Sequence, residues 1–478
     1  MYLGLDLGTS GLKALLIDDD QNVVAHETTS LHVNRPQAGW SEQEPSDWIA
    51  ACRELLSKLR PYLPQVEAIG LAGHMHGLVL LDQNDEVLRP CILWNDVRAM
   101  AQAQRLDAIP AFQQITGTIV FPGFSAPKIQ WVRDNEPAIW SRAKTMLFPK
   151  DLLGFWLTGK KHCEPSDASG SSLFDCATST WSKTLCDYAG IDPTLLAPII
   201  PSDGKRGTIT TQIAAEFGLS NNVVVAGGAG DNAAAAIGIG AVRKGQGLVS
   251  LGTSGVVLAV NDSWTPQAET AVHSFCHAPK GHFIQMGVTL TATDSLSWLG
   301  DVMEQSPAAL SDMLPEAPTG PGEIIYLPYL AGERTPHNSD EALGAFIGLS
   351  RQDGRAEITQ AVMEGVAYSL ADCVRVLKDA GASLEVVTVV GGGTKSHYWL
   401  QVIASVIDRP LAINHNAEHA AALGAARLGM AASKSCAVQQ LIQPEAPANI
   451  IYPDQNFTNS YQKKQQYYRK LYQAVRGC

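Results

Sequence analysis

Two aspartates lie among small residues that leave room for a ligand. Asp6 ends an apolar stretch just before the turn at residues 8–11, Gly-Thr-Ser-Gly, whose backbone N–H groups and hydroxyls suit a phosphate group. A carboxylate beside such a turn predicts Mg²⁺, because the metal neutralises both groups and needs few protein carboxylates. Capping of the turn by Asp6 is the alternative interpretation.

The second aspartate, Asp231, follows the apolar stretch 223–226 and stands between the small residues 227–230 and the segment 232–236, which is Asn232 followed by four alanines. None of these neighbours has a side chain large enough to crowd a bound substrate. Asp231 also opens an alanine-rich stretch, where an aspartate is a common helix N-cap. A substrate-facing carboxylate and a helix cap therefore both remain open.

The composition excludes several classes of protein. The chain has 478 residues, of which 45% are hydrophobic, so it is long and apolar enough for two or three folded domains. A net charge of −12 without a basic run argues against a large nucleic-acid surface. Nine cysteines without a Cys-x-x-Cys pair predict reduced thiols. We expect a cytoplasmic protein, because neither a secretion signal nor a long apolar span is visible.

A repeat indicates how the aspartates are positioned. Residues 2–28 read as three strands, and the Leu-Gly-Thr-Ser-Gly of residues 7–11 returns unchanged at 251–255. After each copy another strand ends in glycines, at 66–71 and at 386–390. A repeat at half the chain length predicts a duplicated α/β domain, with domains at 1–238 and 239–478. Helices are predicted at 356–379, 418–430 and 459–477.

Two glycine motifs have simpler interpretations than nucleotide binding. Residues 154–161 nearly match a phosphate-binding loop, but Lys161 stands where that loop needs a hydroxyl, so a helix end is favoured. Residues 228–233 fit a dinucleotide fingerprint without the acidic residue about 20 positions later. Neither motif is assigned to a nucleotide on these grounds.

Several segments together resemble the FGGY carbohydrate kinases. They are the two Leu-Gly-Thr-Ser-Gly turns and the stretches 228–233, 391–396, 124–135 and 344–358. The resemblance covers nearly the whole chain and implies an α/β fold. The implied fold consists of two ribonuclease-H-like domains of the actin, hexokinase and Hsp70 superfamily, with an interdomain catalytic cleft.

The resemblance also implies roles for individual residues. Asp231 would be the catalytic base, and Asp6 would be the second catalytic residue, with both aspartates at the Mg²⁺ ion. ATP would be bound by Gly8, Thr9, Ser10, Gly252, Thr253, Gly392, Gly393 and Ser396. Trp298 is either packed beside the adenine or a core residue, and Lys13 is given no role.

The segments 73–77, 92–96, 272–277 and 327–336 look most like the xylulokinase branch of the family. That branch phosphorylates D-xylulose to D-xylulose 5-phosphate. The sugar would contact Met75, His76, Trp94, Asn95, Asp96, Asp231 and Asn232. His76 has a loop histidine as its alternative interpretation. Departures at His74 and at residues 420–422 bear on sugar preference.

Other functions stay open at this point. A second candidate is a kinase of the same family for another ketose or polyol, such as ribulose. A third, from another class, is an actin-like or Hsp70-like ATPase without a sugar substrate. The expected partners are D-xylulose and Mg-ATP, with no nucleic acid or membrane, and a homodimer is the candidate assembly.

Overall fold

The structure, a computed structural model, describes residues 1–414, 417–442 and 447–476. The chain forms two compact units. The first contains Met1–Val242, Phe275–Phe283 and His419–Pro444, and the second contains Arg243–Ser274, Ile284–Glu418 and Glu445–Cys478. The first long segment ends near the predicted boundary at residue 238. Two later segments nevertheless belong to the first unit.

The secondary structure elements are numbered in chain order. The strands are β1 (Tyr2–Leu7), β2 (Gly11–Ile17), β3 (Val23–Ser30), β4 (Glu42–Gln43), β5 (Ala68–Gly73), β6 (Val79–Leu81), β7 (Cys91–Ile92), β8 (Thr145–Leu147), β9 (Phe174–Asp175), β10 (Thr180–Trp181), β11 (Lys205–Thr208), β12 (Val224–Ala226), β13 (Ala229–Gly230), β14 (Gly245–Leu251), β15 (Gly255–Asn261), β16 (His273–Cys276), β17 (Phe283–Thr289), β18 (Ile325–Leu327), β19 (Ala345–Ile347), β20 (Leu384–Val390), β21 (Leu411–Ile413) and β22 (Asn449–Ile451). The α-helices are α1 (Pro45–Lys58), α2 (Met100–Asp107), α3 (Pro110–Thr116), α4 (Ser125–Asn135), α5 (Pro137–Trp140), α6 (Pro149–Thr158), α7 (Pro165–Ala168), α8 (Lys183–Ala189), α9 (Thr211–Phe217), α10 (Asp231–Gly238), α11 (Thr293–Met303), α12 (Pro307–Ser311), α13 (Arg355–Asp379), α14 (His397–Ile407), α15 (Ala420–Lys434), α16 (Val438–Leu441) and α17 (Gln455–Val475).

The sheet of the first unit has the order β11-β12-β5-β1-β2-β3, with β13 beside β5. The predicted three-stranded segment at the amino terminus is confirmed, since β1 pairs antiparallel with β2 and β2 pairs antiparallel with β3. β5 runs parallel to β1, β12 and β13. β1 is buried on both faces, as an inner strand of a covered sheet should be.

The sheet of the second unit repeats this arrangement. β14 pairs antiparallel with β15 and parallel with β20, as β1 does with β2 and β5. The sheet order β17-β15-β14-β20-β21 matches β3-β2-β1-β5-β12 of the first unit. The identical turns thus join the first two strands of each sheet, which confirms the predicted duplication of an α/β fold.

The predicted long helices are present with shifted ends. α13 matches the predicted 356–379 within one residue, and Gly381 just beyond it adopts a positive φ of 86°. α17 begins earlier than predicted, at an N-cap Asp454 that accepts the Asn456 N–H at 2.9 Å. Tyr461 and Tyr468 on α17 are buried, so the helix packs through these aromatic side chains, whereas Tyr467 is exposed. Gly477, the predicted end, lies outside the described residues.

α15 packs directly on β1 and β5 of the first unit. A Cβ atom at Gly4 would lie 1.9 Å from the Ala422 carbonyl oxygen, and one at Gly70 would lie 1.7 Å from that of Ala425. This close approach requires glycine on the strands and small residues on the helix. It explains why a helix so late in the chain belongs to the first unit.

The simpler interpretation of residues 154–161 is confirmed, because α6 ends at Gly159, which has a φ of 68°. The eight cysteines that the structure describes are all free thiols, and seven of them are buried. Cys478 lies outside the described residues. No helix in the described part of the chain is long and apolar enough to span a membrane.

Candidate active site

Three parallel strand ends bring the two aspartates of the first unit into one region. β5 lies between β1 and β13, and Ala72 of β5 is in register with Asp6 on one side and with Ala229 on the other. Asp231 follows β13 directly. Side chains at the carboxyl ends of parallel strands commonly form binding sites in α/β folds.

Asp6 is a buried carboxylate without a strong counter-charge. It is only 9% exposed, and in the described residues its side chain accepts no hydrogen bond. Burial raises the pKa of Asp6 to about 6, although the charge of Lys13 on β2 acts in the opposite direction. Binding of a cation therefore stabilises the ionised form of this carboxylate.

Asp231 is the first residue of α10, and Gly230 is the N-cap. Its Oδ1 atom accepts the Asn232 backbone N–H at 2.7 Å and the Asn232 side-chain amide at 2.9 Å. Loss of hydration raises the pKa of Asp231 to about 7, with a further contribution from the negative charge of Asp6. The helix contact uses one oxygen, and Oδ2 accepts no hydrogen bond from the described residues.

The first turn, residues 8–11, is held in place from both sides. The Gly8 N–H donates to the Gly11 carbonyl at 2.9 Å, so it is engaged within the turn. The Thr9 carbonyl accepts from Gln43 Nε2 at 2.7 Å. The N–H groups of Thr9 and Ser10 donate to no backbone atom that the structure describes. Two of the predicted donors are therefore available to an anion, and Gly8 shapes the turn.

His76 lies in a tightly constrained position after β5. Its φ is 70°, and its Nδ1–H donates to the Gly170 carbonyl at 2.7 Å. The imidazole stacks on Phe124 with the ring centroids 4.4 Å apart. The Met75 side chain is buried against Gly230, where a Cβ would meet Met75 Cγ at 2.7 Å. Met75 thus supports the segment that carries Asp231.

The predicted 94–96 segment divides into exposed and buried residues. Trp94 is 45% exposed, and its Nε1–H donates to Thr9 Oγ1 at 3.0 Å, which links it to the first turn. Asn95 is also exposed. Asp96 is buried, and its oxygens accept from the Ser41 N–H and the Arg98 guanidinium. These contacts give Asp96 a role in holding the loop and do not favour the predicted sugar contact.

The predicted nucleotide residues of the second unit lie at two turns. In the turn after β14, the Gly252 carbonyl accepts the Thr293 N–H at 2.9 Å, and the Thr253 carbonyl accepts the Ala292 N–H at 2.7 Å. Thr253 itself is exposed. The start of α11 therefore fixes this second turn.

The other turn of the second unit follows β20. Gly391 has a φ of 97°, and a Cβ atom at Gly392 would meet no atom within 4 Å. Gly393 is buried against Leu251, and the Ser396 Oγ caps α14 by accepting the Trp399 N–H at 3.3 Å. Trp298, the candidate adenine contact, stacks on Tyr326 with the ring centroids 6.3 Å apart.

Comparisons with known proteins identify the family of the chain. Residues 1–238 match the N-terminal domain of the FGGY family of carbohydrate kinases, and residues 247–433 match its C-terminal domain. The chain belongs to the FGGY family of carbohydrate kinases. Its structure is accordingly that of the two-domain sugar kinases in the actin and hexokinase superfamily.

Similar proteins match this FGGY kinase over nearly its whole length. The xylulose kinase of Escherichia coli is 39% identical over 481 residues, covering 99% of each chain. The xylulose kinase of Bacillus subtilis is 35% identical over 484 residues, covering 98% of this chain and 96% of its own. A crystal structure of a xyloylose kinase from Brucella ovis has a TM-score of 0.97 and 45% identity, with 99% of each chain covered.

The donor set of this FGGY kinase fits Mg²⁺ better than a metal held by protein alone. No group of three or more histidine, cysteine, aspartate or glutamate residues suited to a metal occurs in the part of the chain that the structure describes. Asp6 and Asp231 supply carboxylate oxygens that have few protein partners. Mg²⁺ commonly takes one or two carboxylates, with its other positions filled by water and phosphate.

Two positioning residues escaped the sequence-based assignment. Lys128 is fully buried, and its Nζ donates to the His76 carbonyl at 3.0 Å and to the Ile92 carbonyl at 3.1 Å. Gly170 supplies the acceptor for the His76 imidazole. Lys128 lies within the 124–135 segment that carries the family resemblance, which was a usable signal, whereas nothing in the sequence marks Gly170.

Proposed function

We propose that this FGGY kinase transfers the γ-phosphoryl group of ATP to D-xylulose and forms D-xylulose 5-phosphate. The observation that carries the proposal is the similarity to xylulose kinases over essentially the whole chain, including the segments that hold Asp6 and Asp231. Solved structures of other sugar kinases under 25% identity share the fold, and they do not favour another substrate.

We assign Asp231 as the general base. The 5-hydroxyl oxygen of the sugar attacks the γ-phosphorus, the bond from that phosphorus to the bridging oxygen of ADP breaks, and the hydroxyl proton passes to the Asp231 carboxylate. Support comes from the pKa of about 7 and from the Oδ2 atom, which accepts no hydrogen bond in the described residues. A base with this pKa is matched to proton transfer at neutral pH.

Asp6, with Asp231, would hold Mg²⁺. When bound, the metal supplies positive charge that neutralises the phosphates of ATP. The chain itself contributes the N–H groups of Thr9 and Ser10 to the phosphates, with Gly252 and Thr253 assigned to the same role. Gly392, Gly393 and Ser396 are assigned to the adenosine moiety.

A neutral sugar must be selected by directed hydrogen bonds and stacking. His76, Asn95 and Asn232 offer polar groups for this purpose, and the exposed Trp94 offers a flat apolar face. The hydrogen bond from Trp94 Nε1 to Thr9 Oγ1 connects a residue assigned to the sugar with the turn assigned to the phosphates. Proper placement of one substrate thus favours proper placement of the other.

The test is an ADP-release assay of the purified protein with Mg-ATP and a sugar panel, with the product mass as confirmation. The panel contains D-xylulose, L-xylulose, D-ribulose, L-ribulose, glycerol and gluconate. We expect the highest kcat/KM with D-xylulose. A higher value with another member would overturn the substrate assignment, and ADP release that no sugar accelerates would favour the ATPase alternative.

A further inference from the structure

A charged cluster lies inside the first unit, with no exposure of its side chains. We call it the Lys150 cluster, and it consists of Lys150, Asp151, Glu164, Asp167 and Arg206. Lys150 Nζ lies 2.9 Å from Asp151 Oδ1, 3.4 Å from Glu164 Oε1 and 3.1 Å from Asp167 Oδ2. Removing so many charged groups from water costs free energy. Proteins in which apolar residues of the same volume replace a buried ion pair are often equally stable.

Burial and the neighbouring charges shift the pKa values of Asp167 and Lys150 in the cluster. Burial raises the pKa of Asp167 well above its usual range, while the neighbouring Lys150 acts in the opposite direction. Burial lowers the pKa of Lys150, but the surrounding carboxylates outweigh burial and keep the pKa raised. Lys150 Nζ thus contacts the Asp151 and Glu164 side chains, and Arg206 Nη2 contacts that of Asp151.

Glu164 is the centre of the hydrogen bonds that leave the cluster. Its carboxylate accepts the Ser166 hydroxyl at 2.8 Å, the Ser166 N–H at 2.8 Å and the Asp167 N–H at 2.9 Å. It also accepts the Ser202 hydroxyl at 2.6 Å. Two buried serines are thereby fixed in orientation by one carboxylate.

These residues hold the glycine loop, residues 227–230, which leads to Asp231. Ser166 Oγ accepts the Gly230 N–H at 3.0 Å. The Ser202 carbonyl accepts the Gly228 N–H at 2.9 Å, and Arg206 Nη2 donates to the Gly227 carbonyl at 3.0 Å. The loop has hardly any side chains of its own to pack, so hydrogen bonds from the protein interior must fix its backbone.

Among these hydrogen bonds, the one between the Gly230 N–H and Ser166 Oγ is nearest in sequence to Asp231. Gly230 is the N-cap of α10 and the residue directly before Asp231. With Glu164 as its acceptor, the Ser166 hydroxyl points its lone pairs at Gly230, because the hydroxyl hydrogen is used by the carboxylate. The direction in which the Asp231 side chain leaves the backbone depends on this peptide.

We propose that Ser166, oriented by Glu164, is a positioning residue that fixes the Gly230 peptide and thereby directs the Asp231 carboxylate at the sugar hydroxyl. The inference rests on the proposed role of Asp231 as general base. Its action is indirect, since Ser166 is buried and its contacts are to the protein.

The test is a double-mutant cycle between Ser166→Ala and Asp231→Asn, with steady-state kinetics on D-xylulose and Mg-ATP. The control is Ser405→Ala in the second unit. Ser405 is also fully buried, donates to one carbonyl at 2.8 Å and accepts one backbone N–H at 3.0 Å, so its removal has a comparable effect on packing.

We expect Ser166→Ala to lower kcat about tenfold or more while KM for sugar and for ATP stays within about twofold. Ser405→Ala should keep the wild-type kcat. In the Asp231→Asn background, Ser166→Ala should cause little further loss, because the group that it positions is already gone. Ser166→Thr keeps the hydroxyl and should retain most of the turnover.

Three results would overturn the inference: equal kcat in Ser166→Ala and Ser405→Ala, the same loss from Ser166→Ala with and without Asp231, or equal losses in folded Ser166→Ala and Ser166→Thr. A different result would overturn the proposed function itself. If Asp231→Asn alone turns over at the wild-type rate, Asp231 is not the base. The two failures are therefore distinguishable.

Discussion

Individual side chains of the first unit acquire their chemistry from burial. Asp6 and Asp231 are ordinary aspartates in the sequence, and loss of hydration raises their pKa values to about 6 and about 7. Lys128 shows the opposite shift, because burial lowers its pKa to about 7. Both aspartates could be identified as candidates from the small residues around them in the sequence. For Lys128 the only signal in the sequence was the family resemblance of its segment, because the carbonyls that it binds come from segments distant in the chain.

Replacing Lys128 with methionine tests its role in the sugar site. Lys128→Met removes the donor to the His76 and Ile92 carbonyls and keeps the apolar stem. We expect KM for D-xylulose to rise about tenfold with KM for ATP nearly unchanged, since the loss of one or two buried hydrogen bonds costs about 1–3 kcal/mol. Steady-state kinetics with each substrate varied in turn measures this split, and an equal rise in both KM values would contradict it.

Lys128 also predicts a pH dependence of stability. Folded Lys128 releases its proton near pH 7, whereas an unfolded lysine keeps it to about pH 10.5. Between these values the unfolded state binds more protons, so wild-type stability rises with pH, by at most about 1.4 kcal/mol per pH unit from this group. Urea unfolding at pH 7 and pH 9.5 should show the wild type gaining stability relative to Lys128→Met. A constant difference would be the contrary result.

At the scale of elements, the strands and long helices could be predicted and their neighbours could not. The periodic apolar positions of α13 and the repeated turns are local signals, and both predictions hold. The contact between His76 and Gly170 joins residues 94 positions apart, through a carbonyl that any residue possesses. The residue type at position 170 therefore does not predict a hydrogen bond with His76.

Gly170 offers a direct way to move the His76 side chain. A Cβ atom at position 170 would lie 2.3 Å from His76 Nδ1, so Gly170→Ala should displace the imidazole while the fold is kept. We expect KM for D-xylulose to rise about tenfold, as a buried hydrogen bond is lost. Gly207→Ala is the matched control, because its Cβ would meet no atom closer than 3.4 Å. Similar sugar KM values for the two variants would remove His76 from the sugar site.

At the scale of the whole chain, the duplication was visible in the sequence and the assignment of α15 was not. The identical turns at 7–11 and 251–255 predicted two related folds, and the sheet orders agree. α15 follows the second repeat in sequence but packs on β1 and β5, because Gly4 and Gly70 admit its backbone at close range. The contact is formed by small residues on two segments that are distant in the chain. Neither segment predicts the contact by itself.

Metal removal separates catalysis from folding of the whole protein. No protein-only metal cluster holds either unit together in the described ranges, and we assign Mg²⁺ to a site completed by ATP. We expect EDTA to abolish sugar phosphorylation while the melting temperature changes by less than about 2 °C. Added Mg²⁺ should restore activity. Cooperative unfolding on EDTA treatment, or phosphorylation that persists in it, would contradict this assignment.

The most direct test of the account is the turnover of Asp231→Asn with D-xylulose and Mg-ATP, followed by ADP release. We expect kcat to fall by about 10²–10⁴, because the amide cannot accept the hydroxyl proton. Asp231→Ser, which retains an oxygen able to bind the helix N-terminus, should fall similarly, and both circular dichroism spectra should match the wild type. Near-normal turnover in folded Asp231→Asn would show that Asp231 serves only in its contacts with Asn232 at the start of α10 and would contradict the proposed mechanism.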